Sequence, residues 1–318
     1  MIKVEHLTKR YGRTTAVDDL SFEVAEGEIV GFLGPNGAGK TTTMRILSGY
    51  MPATGGTAIV AGLDVFSDSL EVRRRIGYLP ESVPLYTDMR VNEYLKYRGR
   101  IKGLRGKRLR TRLDEVVSLC GLGDVRRRII GHLSKGYSQR VGIADSLIHN
   151  PEVLILDEPT IGLDPNQIRQ IRNLIKGLAG QHTVLLSSHI LPEVEMTCNR
   201  VLIINKGKII ASDTPGNLIG IGASNPRIIA EIKGPCDAVL SKLRAMKGVL
   251  GVKQDSAGEW TRYICDYEKG SDTRAAIFAI VSANGWMLRE LKEDKRNLED
   301  VFVSLTTSES SGGETGRQ

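Results

Sequence analysis

"GPNGAGKTTT", Gly34 to Thr43, is the stretch on which the fold turns. Its spacing is G-x-x-x-x-G-K-T, with Gly34, Gly39, Lys40 and Thr41 at the defining positions. The preceding "EIVGFLG" is apolar and β-prone and reads as a buried strand. The following "TTTMRILSGY" reads as a helix with Met44 and Leu47 on one side. Gly37 and Gly39 have no Cβ, so backbone N–H groups can close around phosphate oxygens. The helix N-terminus adds about half a positive charge. Lys40 can reach β- and γ-phosphates, and the Thr41 hydroxyl can ligate Mg²⁺. Strand, loop and helix together predict a nucleoside triphosphate site, but not what its phosphate-bond energy drives.

Bulk properties narrow the answer. The chain of 318 residues is long enough for two domains, and its net charge of +7 admits an anionic partner: nucleic acid, an anionic lipid surface or a partner's acidic loops. The charge is uneven: "KYRGRIKGLRGKRLRTR", Lys96 to Arg112, contains no acid. It reads either as a solvated helical face or as a surface held near anionic phosphates. No apolar run approaches the length of about 18 that a membrane span needs, and no N-terminal signal pattern is present. Cys120, Cys198, Cys236 and Cys265 show neither metal spacing nor a disulfide framework, which predicts reduced thiols in the cytosol. If a membrane is involved, another chain supplies the spanning helices.

Far downstream, "PEVLILDEPTIGLDP" places the apolar run Val153 to Leu156 before Asp157 and Glu158. A carboxylate at the end of a buried parallel strand can sit beside Mg²⁺, and its neighbour can deprotonate an attacking water. Asp157 is the candidate metal partner and Glu158 the candidate general base. Between the two motifs, "HLSKGYSQRVGIADSLIHNP" has Ser134 placed to cap a helix and Gly136 placed to let backbone approach an anion. "TVLLSSHIL" is another apolar strand, ending at His189, whose imidazole can hydrogen-bond a γ-phosphate.

These pieces together resemble an ABC-type ATPase. The resemblance rests on the Walker A loop Gly34–Thr41, the signature "LSKGYSQR" at Leu133–Arg140, the Walker B strand ending in Asp157 and Glu158, the D-loop "GLDP" at Gly162–Pro165, and the switch His189. It covers Met1 to about Asp213. It implies ATP as ligand with Mg²⁺, held through Gly34, Pro35, Asn36, Gly37, Ala38, Gly39, Lys40, Thr41 and Thr42. It further implies Tyr11 of "KRYG" as the ring stacking on adenine, and Ser134, Gly136 and Asp164 as contacts to a nucleotide held by a second copy. Two departures stand out. Lys135 and Tyr137 interrupt the family's L-S-G-G-Q, and Glu81 of "GYLPES" occupies the Q-loop glutamine position. Glu81 can still offer oxygen to Mg²⁺, but when ionised it cannot donate a hydrogen bond. After it, the apolar Val83, Leu85, Tyr86 and Met89 read either as a groove for a permease helix or as internal packing.

The predicted fold class is α/β, a P-loop ATPase of ABC type with a helical subdomain at about 83–150, plus a small C-terminal α+β ferredoxin-like domain. The ATPase domain covers 1–213, and "TPGNLIGIGASNP" reads as a helix end plus linker over 214–226. Residues 227–305 follow the order βαββαβ and close with a helix placing Leu298, Val301, Phe302 and Leu305 on one face. The tail, 306–318, reads as disordered. No cluster for chemistry marks the second domain, which reads as a packing or dimerisation module, with a ligand sensor as the alternative.

The ending "LEDVFVSLT" is similar to the exporter group that includes multidrug-type, gliding-motility-type and copper-enzyme-maturation-type ATPases. The resemblance implies an ATP-hydrolysing subunit that works as a head-to-tail dimer, with itself or a related ATPase. It would drive a multi-span permease from the cytoplasmic, inner face of the cell membrane. The second reading is a soluble ABC ATPase acting on ribosomes or nucleic acid. The chain lacks the paired cassettes, coiled coils and zinc-binding cysteines usual in such proteins, which weighs against a nucleic-acid partner.

Overall fold

The computed structural model describes residues 1–221, 226–256, 259–268, 273–294 and Phe302. The chain divides into two compact units, Met1–Pro215 and Gly216–Gln318. The first opens with β1 (Ile2–Tyr11), β2 (Thr14–Val24), β3 (Ile29–Leu33), α1 (Lys40–Leu47), β4 (Gly55–Val60), β5 (Leu63–Asp64), α2 (Ser69–Arg75) and β6 (Ile76–Leu79). A helical stretch follows: α3 (Val91–Ile101), α4 (Gly106–Leu119) and α5 (Lys135–Leu147). Alternation then resumes with β7 (Val153–Leu156), α6 (Pro165–Gly177), β8 (Thr183–Ser188), α7 (Leu191–Thr197), β9 (Arg200–Asn205) and β10 (Lys208–Asp213).

Two sheets result. Antiparallel β2-β1-β4-β5 forms one, and β10-β9-β3-β8-β7-β6 the other. Every neighbouring pair in the second is parallel except β9 with β10. Strands β3, β7 and β8 are buried at every residue, which is why they read as unbroken apolar runs instead of alternating ones. The core joins both sheets through α1: Ile2, Phe22, Phe32, Leu47 and Val60 belong to one buried cluster. Phe22 and Phe32 meet with ring centroids 5.6 Å apart. Gly77 on β6 admits the backbone of α5, since a Cβ there would strike the Ser146 carbonyl.

Helix α8 (Pro215–Ile221) spans the division between the units. Residues 214–226 read as a helix end plus linker, and α8 occupies 215–221 of them. Pro215 stands at the first helical position, where its fixed φ suits the turn and its missing N–H costs nothing. The second unit continues with β11 (Arg227–Lys233), α9 (Cys236–Arg244), β12 (Val249–Ser256), β13 (Thr261–Tyr267), α10 (Arg274–Ala283) and β14 (Met287–Asp294). Its antiparallel sheet has the order β12-β13-β11-β14, the arrangement of a ferredoxin-like split βαβ unit. Ile228, Val239, Leu243, Tyr263 and Ile277 sit in its own buried cluster. Leu298, Val301 and Leu305 of the expected last helix, and the tail from Thr306, lie outside the described residues.

Because each unit has its own core, the chain cut after Pro215 is expected to fold and bind ATP. The check is a fluorescent-nucleotide titration of the fragment beside the full chain. Failure of the fragment to fold would show that the two units depend on one core.

Candidate nucleotide-binding and hydrolysis site

Four neighbouring parallel strands, β3, β8, β7 and β6, end at one rim of the sheet. In open α/β sheets ligands bind outside such carboxyl ends. The glycine loop follows β3, Glu81 lies beyond β6, Asp157 and Glu158 follow β7, and His189 follows β8. A cleft of about 500 Å³ opens there, lined by Ala16, by every residue from Pro35 to Thr42, and by Glu81, Glu158, Ile161 and His189. Gly39 has φ +105°, and a Cβ on it would meet the Ala16 carbonyl oxygen. Only glycine fits that turn.

The buried Lys40 ammonium donates to the Gly34 carbonyl at 2.7 Å and to that of Pro35 at 3.3 Å. It also stands 3.5 Å from Glu158 Oε1. Lys40 and Glu158 are each 6% exposed, so the pair is held out of water at the cleft wall. Glu158 Oε2 is 2.8 Å from His189 Nδ1. The Glu158 backbone has φ +48°, a region costly for a side-chain-bearing residue and often found at functional sites.

One hydroxyl ties the two acids together. Ser187 Oγ donates to Asp157 Oδ1 at 2.6 Å and accepts the Glu158 N–H at 2.8 Å. The Thr41 hydroxyl donates to the same Asp157 oxygen at 3.3 Å. Burial pushes the Asp157 carboxyl above its usual range, against the pull of these hydrogen bonds. Its second oxygen, Oδ2, is buried and has no hydrogen-bond partner among the described residues. Beyond Glu158, the Thr160 hydroxyl donates to Glu193 on α7, which tethers the segment after one acid to the helix after His189.

The other sequence-named residues lie elsewhere. Ser134 caps α5, accepting the Tyr137 N–H at 3.4 Å, and Asp164 caps α6, accepting the Gln167 N–H at 3.0 Å. Gly136 packs on Gln167, and the Lys135 ammonium lies against Gly162. None of Ser134, Gly136 and Asp164 lines the cleft of its own chain. Tyr11 is also absent from the lining; it is half exposed, with its hydroxyl 3.1 Å from Met51 Sδ and the Lys9 ammonium over its ring. Sequence reasoning missed Ala16, Ile161, Ser187, Thr160 and Glu193. Only Ser187 carried a signal: it stands two residues before His189, where a strand points to the same side.

A backbone cradle for phosphate after β3, a buried cation at its tip and two acids at the end of β7, with β8 between those strands, define a nucleoside-triphosphate hydrolase of the P-loop class. The comparisons with known proteins agree. The ABC transporter family model matches residues 17–161. The bacitracin transport ATP-binding protein BcrA of Bacillus licheniformis is 43% identical over 212 residues, 66% of this chain and 68% of that protein. The linearmycin resistance ATP-binding protein LnrL of Bacillus subtilis is 32% identical over 316 residues, 96% of this chain and 98% of that one. A dimeric ATP-binding cassette in a post-hydrolysis state with ADP and Pi superposes with TM-score 0.62 at 25% identity, over 67% of this chain and 98% of its own. The chain belongs to the ABC transporter ATP-binding proteins, and it binds and hydrolyses ATP. No helix among the described residues is long and apolar enough to cross a membrane.

Proposed function

We propose that this chain is the ATP-hydrolysing subunit of a membrane exporter, acting as a head-to-tail dimer on a separate multi-span permease at the cytoplasmic face of the membrane. The observation that carries the chemistry is the meeting of Lys40, Glu158 and His189 in one cleft from three separate strand ends. Similarity to the linearmycin resistance protein along 96% of the chain supports the exporter role, because it includes the second unit. The multidrug-type and copper-enzyme-maturation-type groups remain the families whose endings this chain resembles.

In this reading the loop N–H groups and Lys40 bind the β- and γ-phosphates. Glu158 takes the proton from the attacking water as its oxygen bonds to the γ-phosphorus, and the bond to the β-phosphate oxygen breaks. His189 holds Glu158 and reaches toward the γ-phosphate. The unpartnered Oδ2 of Asp157, the Thr41 hydroxyl and Glu81 are oxygen donors that would hold Mg²⁺. Bound there, Mg²⁺ would supply neutralising charge for the phosphate oxygens. Tyr11, at the exposed end of β1, is the proposed adenine stacker. Ser134, Gly136 and Asp164 would serve the nucleotide of the second copy, consistent with their absence from the cleft of their own chain.

Coupling to the permease runs through the segment after Glu81. Val83 is half-buried and packs against Gly142, which favours internal packing for that side chain. Tyr86 remains 49% exposed, with ring centroids 5.9 Å from both Tyr94 and Tyr97. Leu85 and Met89 beside it are half-buried. In liposomes with the permease, Leu85→Asp with Tyr86→Asp is expected to abolish transport and permease-stimulated hydrolysis while basal ATPase survives. Equal loss of basal activity would show that these side chains serve internal packing.

A further inference from the structure

The acid-free stretch from Lys96 to Arg112 folds into α3, α4 and the turn between them. These helices flank a groove of about 1090 Å³. Lys96, Arg100, Arg105, Lys107 and Arg110 line it, and all five are exposed. None of these five side chains has an ion-pair or hydrogen-bond partner among the described residues. Arg126, at the same groove, is by contrast neutralised by Asp114 at 2.7 Å. No acid stands in the first turn of α4. Five unpaired like charges around one concavity raise each other's electrostatic energy, and a polyanion relieves that energy.

The lining separates the kinds of anion. Leu109 and Leu113, each 5% exposed, form its floor, and no aromatic side chain lines it. Sequence-tolerant binding of a single nucleic-acid strand uses aromatic stacking platforms, which this groove lacks. Cations around an apolar floor suit an amphiphile with a phosphate head. The helix α3 also exposes Tyr97 (42%) and Ile101 (56%), side chains at home in a membrane interface beside Lys and Arg.

We propose that the groove between α3 and α4 is a docking site for anionic phospholipid headgroups, which seats the ATPase on an acidic bilayer independently of its permease. The proposal rests on the exporter reading for its setting. Five basic side chains near an anionic surface are enough for salt-sensitive binding, at roughly fivefold in affinity per residue.

The test is co-sedimentation of the full chain with permease-free vesicles. They are made of phosphatidylcholine alone or with about 30 mol% phosphatidylglycerol, enough to give the surface a negative potential. Binding is expected only to the anionic vesicles and is expected to fall at high salt. Lys96→Gln, Arg100→Gln and Arg110→Gln together should weaken it about a hundredfold, at roughly fivefold each. Lys176→Gln, Lys242→Gln and Lys253→Gln remove the same charge at exposed positions elsewhere and should leave it nearly unchanged. Basal ATPase, equal in both triple variants, verifies folding. Millimolar inorganic phosphate should not compete; full competition would assign the groove to a free phosphate instead of a bilayer. Equal weakening by both triple variants, or binding to an oligonucleotide in preference to the vesicles, would overturn the proposal. The exporter reading is judged apart, by transport with the permease: its failure leaves vesicle binding standing, and absent vesicle binding leaves transport standing.

Discussion

Glu158→Gln is expected to bind ATP as the unaltered chain does and to hydrolyse it about 10²–10⁴-fold more slowly. The amide is nearly isosteric with the carboxylate and keeps an oxygen to face His189 Nδ1, now 2.8 Å from Oε2. The Ser187 contact is to the backbone N–H and survives the change. The negative charge facing Lys40, 3.5 Å away, is lost together with the ability to take a proton from water. An ATP-bound dimer should therefore accumulate, seen as a doubled mass in size-exclusion chromatography when ATP is added. Single-turnover hydrolysis at a near-normal rate would remove Glu158 from the base role.

The second large effect comes from splitting one site between two chains. Lys40→Ala deletes the buried cation at the tip of the loop, and Ser134→Arg puts a bulky cation at the cap of α5. In a head-to-tail homodimer each change spoils both sites, with a loss of about 10²-fold or more, the usual cost of one charge-stabilising contact. Mixing the two variants puts both lesions in one site of the heterodimer and leaves its other site whole. Part of the hydrolysis rate should return on mixing, measured at constant total protein. Full activity of Ser134→Arg alone would place Ser134 outside the site altogether.

The phosphate loop is legible because its parts are contiguous. Gly34 to Thr41 carries its turn, its cation and its hydroxyl within eight residues, flanked by the strand and helix that aim it. Asp157, Glu158 and His189 are legible as strand-end polar residues after apolar runs. The second unit's order is legible from alternating and helical patterns, and its sheet order follows from that connectivity. Ser187 is hidden because a buried serine in "LLSSH" looks like the frayed end of a strand until β8 is laid beside β7. Ala16 acts through its backbone at Gly39, and backbone carries no side-chain pattern to read. Val83 reads either as part of a groove or as internal packing; its contact with α5 depends on the gap that Gly142 leaves on a helix about 60 residues away. Residues 214–226 read as a helix end plus linker because glycine and proline punctuate them; the bounds of α8 within them stay hidden, since Pro215 opens a helix as readily as it ends one.

The Ser187 hydroxyl has both its capacities committed, its proton to Asp157 and a lone pair to the Glu158 N–H. The side expected to hold the cation and the side expected to accept the proton therefore share one atom. Neither acid can be adjusted without the other. A change that draws Asp157 toward a larger cation pulls on Ser187 and, through it, on the backbone that aims Glu158. Effects of substitutions at these three positions should combine non-additively, as they do for groups that share a partner.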